Sequence, residues 1–189
     1  MTRRAARRSL AVPAAIAALL LAGCSGSEGS ADTTSPTVTI CTPDGSAQAD
    51  DELPNLSTIA PAVQALRAEL GAEPEFFEIN ATARLVNLFV ALNGGTMVQP
   101  WLYLDGALTS DTAQAASGGT FTADLIDFDA DTVLEGVRTN VPDAVLETFY
   151  VHGDGQGNVQ YGVLVSAQCG GGLDVSVSRT GTVLSVDPT

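Results

Sequence analysis

Any catalysis by this chain would have to pass through very few side chains. Of its 189 residues one is histidine and three are cysteine, and lysine is absent. Histidine is the only side chain whose ordinary pKa lies near neutrality, so a Ser-His-Asp or Cys-His arrangement would have to use His152. Its context, Val151-His152-Gly153-Asp154-Gly155-Gln156-Gly157-Asn158, reads as a strand end entering a glycine-rich hairpin. These glycines alternate and no helix signal follows at once, so they are not a dinucleotide fingerprint. A Gly-x-Ser-x-Gly elbow is absent, and the ligands for a tetrahedral zinc site are too few. The expectation is a protein that is not an enzyme and needs no cofactor or metal.

Acids are the more abundant chemistry. Asp127, Asp129 and Asp131 alternate like the opening of a calcium loop, yet Thr132 stands where such a loop requires glycine and Arg138 where it requires glutamate. The reading adopted is an acidic linker whose last carboxylates favour the positive end of a following helix.

The cysteines read as attachment or structural residues and not as nucleophiles. Residues 1–23 begin with Arg3, Arg4, Arg7 and Arg8, continue through a mainly apolar run from Leu10 to Leu21, and carry Pro13 within it. That is a signal-peptide profile, and the run is too short for a lone span, which needs roughly 18 or more apolar residues. Leu21-Ala22-Gly23-Cys24 closely resembles the bacterial lipobox, which implies lipidation of Cys24 and anchoring at the outer face of the cell membrane. One acyl chain holds only marginally, whereas two or three hold firmly. Arg7-Arg8-Ser9-Leu10 is a partial match to twin-arginine export signals. Cys41 and Cys169 remain in an exported chain, where they form either a structural disulfide or two separate buried thiols. A disulfide closing so long a loop would contribute about 4 to 5 kcal/mol in the chain-entropy model.

Removal of residues 1–23 leaves four arginines against 22 acids, which moves the net charge from −14 to −18. Such a surface repels nucleic acid and anionic headgroups and favours neutral or cationic partners. It also keeps an exported protein soluble.

Residues 24–36 lack apolar periodicity and read as a flexible tether lifting the folded part roughly 20 Å from the lipid surface. Residues 37–189 are then one globular unit, long enough for a sizeable core, and built from an internal repeat at about 54–111 and 131–187. The first copy opens with a helix signal in NLSTIAPAVQALRAEL, with Ser57 or Thr58 near the N-cap, Val63, Leu66 and Leu70 on one face and Gly71 as the stop. Strand signals follow in EFFEI, ARLVNLFVAL and MVQPWLYLDGAL, the last two joined at Asn93-Gly94-Gly95. The second copy has a helix signal DTVLEGVRTN, with Thr132 and Glu135 in capping-box spacing. Its strand signals are AVLETFYV, NVQYGVLVSAQ and LDVSVSRTGTVLSV. Val90 and Val165, like Gly106 and Gly181, stand 75 residues apart. The fold class is α+β: one helix followed by a three-stranded antiparallel meander, twice, with the strands open to joining as one sheet under helices on one face.

This order, spanning about residues 54 to 187, resembles the PepSY-like family of bacterial extracytoplasmic modules, and its tandem form resembles beta-lactamase-inhibitor-protein-like repeats. The resemblance rests on topology and spacing. It implies restraint of peptidases or other envelope proteins; together with the Cys24 signal, the expectation is a lipid-anchored lipoprotein acting as a protein- or peptide-binding or regulatory module.

Dividing each strand into faces gives the candidate site. Leu173, Val175 and Val177 alternate with Asp174, Ser176 and Ser178, so one face is core and the other wet. Carried through the repeat, this puts Leu88, Val90, Val163 and Val165 on the core face, and Phe76, Phe89, Trp101 and Tyr103 on the opposite one, with Tyr150 beside Thr148, Gln160 and Ser166. Aromatics on an uncovered face are interface anchors, so Trp101, Tyr103, Phe89 and Tyr150 are the candidate residues for binding a protein or peptide. Two other arrangements compete: the same rings packed beneath residues 37–53 or between the repeats, and sheets curled around a dry interior that carries a lipid or other apolar molecule.

Overall fold

The computed structural model describes residues 48–167 and 169–189, which belong to one compact unit. Cys24, the tether and Cys41 lie outside the described residues.

Helix α1 spans Ile59–Leu70 and buries Ile59, Ala62, Val63 and Leu66. Gly71 ends it in the left-handed conformation (φ 64°), a position glycine adopts without a Cβ penalty. Leu70, expected on the buried face, is 39% exposed. Four strands follow: β1 (Glu75–Ala81), β2 (Leu85–Leu92), β3 (Met97–Leu104) and β4 (Ala107–Ser110). Two short bridging strands, β5 (Gln114–Ala115) and β6 (Phe121–Thr122), pair with β3 and β1. Helix α2 (Ala130–Asn140) then leads into β7 (Ala144–Gly153), β8 (Val159–Ala167), β9 (Gly172–Val177) and β10 (Val183–Pro188).

The strands form one sheet in the order β10-β9-β8-β7-β1-β2-β3-β4. The first strands of the two meanders join it, antiparallel, with Ile79 opposite Val151 and Ala81 opposite Phe149. Each meander has four strands where the sequence suggests three, because MVQPWLYLDGAL turns at Asp105-Gly106 and LDVSVSRTGTVLSV turns at Arg179 to Thr182. The N-terminal signal of α2 also differs from expectation: Asp129 is the N-cap, its Oδ1 accepting from the Thr132 amide at 2.9 Å. Hydrogen bonding from Thr132, its amide first and its side chain second, holds the Asp129 carboxyl below its ordinary pKa.

The core lies between one face of the sheet and both helices. Phe76, Ile79, Val86, Leu88, Phe149, Val151, Val163 and Val175 are fully buried there with Leu66, Val133 and Val137. Phe149 packs against Phe128 and Tyr161, with ring centroids 4.9 and 6.2 Å away.

Among the described residues no helix is long and apolar enough to cross a membrane.

Candidate functional site: the sheet face away from the helices

In an antiparallel pair, residues directly opposite each other share a face. Leu88 lies opposite Trp101 and Val86 opposite Tyr103. Since Leu88 and Val86 are fully buried under the helices, Trp101 and Tyr103 belong to the helix side, where both are half-buried against the core. This corrects the sequence expectation, which places them on the open side. Phe76 is corrected likewise: it is fully buried, opposite Val90, and in contact with Phe121 at 5.8 Å between ring centroids. The open-face neighbour of these strands is instead Phe77, at the register shift between Phe76 and Glu78.

The open face of the first meander is apolar over β2 and β3 apart from Asn87, and carries Glu78 and Asn80 on β1. Phe89 lies there as expected, opposite Pro100, and Leu85, Ala91, Val98, Leu102 and Leu104 share its face. All of these are half-buried. Phe77, Phe89 and Val98 line a shallow hollow with Ala116 and Ser117, part of the segment that crosses from β5 to β6. Gly118 of that segment lies against the Phe77 ring: a Cβ there would stand 3.5 Å from Phe77 Cδ1.

On the second meander the open face is polar. Tyr150 sits there as expected, but not as a protruding anchor: only 9% of it is exposed. Its ring lies flat over Gly162, where a Cβ would fall 2.2 Å from the Tyr150 hydroxyl. Any side chain at position 162 would lift the ring. The hydroxyl donates to Asp174 Oδ1 at 2.6 Å and the ring stacks on His152 at 5.4 Å. Burial first, then the Asp174 bond and charge, pushes the Tyr150 phenol well above its ordinary range. His152 donates through Nε2 to Gln160 Oε1 at 2.9 Å and lies opposite Glu78 on β1. A ladder of amides continues across the sheet: Asn87 Nδ2 donates to Asn80 Oδ1 at 2.7 Å, and Asn80 Nδ2 to Glu78 Oε1 at 2.8 Å. Thus Tyr150 and Phe89 share the open face, while Trp101 and Tyr103 are separated from them by the thickness of the sheet.

Several hollows lie on the helix side, two of them beside apolar side chains. One, of about 720 Å³, is lined by Asp50, Asp51, Asp131, Glu135 and Arg138 together with Leu53 and Leu134. The other, about 400 Å³, is an apolar groove between α1 and residues 123–128, lined by Ile59, Val63, Ile126 and Phe128 with Arg67. Among the described residues no group of three or more His, Cys, Asp or Glu side chains could hold a metal ion. Cys169 lies in the turn between β8 and β9.

No family model matches the chain and no curated protein does. Among solved structures, a "putative lipoprotein" of Clostridium difficile 630 is similar at 9% identity, over 75% of this chain and 97% of that one, with a TM-score of 0.49.

Proposed function

We propose that this chain is a lipid-anchored, extracytoplasmic bacterial lipoprotein that acts as a non-catalytic protein- or peptide-binding module, and that the open sheet face is its binding surface. One observation carries the surface assignment: both helices pack on a single face of the sheet, and no described helix covers the face that bears Phe89, Pro100, Leu102 and Leu104. Apolar side chains left half-exposed on such a face mark contact with another molecule. The anchor rests on the Leu21-Ala22-Gly23-Cys24 signal, and the doubled helix-plus-meander order supports the PepSY-like kinship. A Cys41 to Cys169 disulfide belongs to the same proposal, tying the start of the unit to the β8-β9 turn.

The test places a photo-crosslinking side chain at single positions in the full chain in living cells. Capture of the same protein from positions 89 and 102, and none from Glu69 or Glu135 on the exposed helix surfaces, is the expected result. Equal capture from both sides of the molecule would overturn it. Loss of palmitate labelling in Cys24→Ser, with release of the chain from the membrane, checks the anchor separately.

A second reading, carriage of an apolar small molecule, draws on the groove between α1 and residues 123–128. Native mass spectrometry that finds a co-purified ligand, lost in Val63→Gln, would favour it.

A further inference from the structure

We infer that the partner of the open face presents a basic segment, which lies across that face from Glu78 on β1 to Asp174 and Asp187 on the second meander. This rests on the binding surface proposed above and adds the chemistry of what it takes.

Of the four arginines of the folded region, Arg67 lies in α1, Arg138 in α2, and Arg84 and Arg179 in turns, Arg179 at the rim of a hollow that it lines with His152, Gln160 and Ser176. Three of them are engaged in ion pairs elsewhere, with Glu73, Asp50 and Asp127. The register places Glu78, Asp174 and Asp187 on the open face, since their neighbours Ile79, Val175 and Val186 alternate with them toward the core side. The hydrogen bonds these acids receive come from neutral groups, the Tyr150 hydroxyl to Asp174 and the Asn80 amide to Glu78. No ion pair among the described residues involves them.

Asp187 also stands directly opposite Asp174 across β9 and β10. Like charges facing each other on neighbouring strands weaken a sheet. Fold stability gives no reason to hold two carboxylates there, whereas a bound cation between them turns the repulsion into attraction. The surroundings fit a polypeptide better than an ion. Tyr150 and His152 form a flat stacked floor, on which an arginine or lysine stem can lie. The apolar band of Phe89 and Leu102 continues the same face. A net charge of −18 on the chain without residues 1–23 steers a basic partner toward it.

The edge strand β10 is the rival docking place. It bears a register shift between Val183 and Ser185 and ends in Asp187-Pro188, devices that discourage strand addition.

The test uses the full lipidated chain in neutral detergent, titrated with a short peptide alternating lysine and valine, and with a matched peptide alternating glutamine and valine. Amide chemical shifts report where each binds. The lysine peptide should move resonances of β7, β8 and β9, and its affinity should fall about tenfold or more in the Asp174→Asn/Asp187→Asn variant and fall again as salt is raised. That variant should melt no lower than the parent, because asparagine still accepts from Tyr150 and the facing charges are gone. Undiminished binding of the lysine peptide by the variant would overturn the inference. If the glutamine peptide binds the same strands as tightly, the basic partner is wrong while the docking face stands. If neither peptide perturbs the open face, both fall.

Discussion

The two halves of the sheet share an order of elements and differ in what each puts on the uncovered side. In the first meander that side is Leu85, Phe89, Ala91, Val98, Pro100, Leu102 and Leu104, with Glu75, Glu78, Asn80 and Asn87 as the polar exceptions. In the second it is Thr148, Tyr150, His152, Gln160, Ser166, Ser176 and Asp174, with Val145 and Leu164 as apolar exceptions. Beneath, on the helix side, both halves are hydrophobic. The two halves therefore match in the layer that folds the chain and differ in the layer turned away from the helices. Folding constrains only the side chains that must lose water together, so the outer layer was free to become two different surfaces on one scaffold.

The largest test of this division sets a buried ring against an open-face ring. Phe149 is fully buried and touches Phe128 and Tyr161, so Phe149→Ala should cost about 3 to 5 kcal/mol. Phe89→Ala, on the half-exposed face, should cost about 1 kcal/mol or less. Denaturant titration of both variants measures the difference. Equal losses would mean that Phe89 is covered and that the open face is not open.

The next test compares two glycines that stand in the last turn of each half of the sheet. Gly106 and Gly181 have similar positive φ, 82° and 79°. Nothing lies within 4 Å of a Cβ built on Gly106, whereas one on Gly181 would stand 2.0 Å from the Thr132 carbonyl oxygen of α2. Gly136 of α2 is jammed in return against Gly181. Gly106→Ala should therefore cost only the left-handed strain, about 1 to 2 kcal/mol. Gly181→Ala adds displacement of the helix, and should cost about 3 kcal/mol or more. Thermal melts of the two variants should order them accordingly; the same small loss in both would show that α2 is not seated on the β9-β10 turn.

How much of this is legible in the sequence follows from where the information lies. The helices, their buried positions at Val63 and Leu66, the stop at Gly71 and the strand order are readable because each is set by local periodicity and turn chemistry. The faces of β3 are not. Val163 faces Val175, and an offset of 75 maps that pair onto Leu88 facing Pro100. The structure pairs Leu88 with Trp101 instead. One residue of difference between the two hairpin turns exchanges the faces of an entire strand, and so Trp101 and Tyr103 change sides. The signal is present in the chain: Leu92 and Met97 flank the Asn93 to Thr96 turn as partners, and counting back from them leads to Leu88 and Trp101. Phe76 escapes a simple alternation for a related reason, since a register shift at the Phe-Phe pair decides which ring goes inward. The fourth strand of each meander is hidden because Asp105-Gly106 and Thr180-Gly181 are short turns inside MVQPWLYLDGAL and LDVSVSRTGTVLSV, each of which reads as one strand signal.

The subtlest test is alkaline, and it separates the two halves by a single proton. Tyr150 on the open face has its phenol pKa raised by burial and by Asp174, and Tyr161 on the helix side has its own raised chiefly by burial. In the unfolded chain each would ionise near its ordinary value of about 10. A folded-state pKa above that value means that the native state holds the proton longer than the unfolded state does. The stability this provides is fully present below about pH 10 and is lost as pH rises toward the folded-state value. Tyr150→Phe removes one hydrogen bond, so at pH 7 it should cost about 1 kcal/mol. It also removes one of the two titrations, so its stability should fall less steeply above about pH 10 than the parent's. Tyr161→Phe should flatten the same limb while also freeing the Asp127 backbone groups that its hydroxyl contacts. Parallel alkaline limbs for parent and Tyr150→Phe would show that Tyr150 ionises freely in the folded chain. Its ring would then not be pinned over Gly162 beside Asp174, and the polar half of the open face would lack the stacked floor on which a basic segment is to lie.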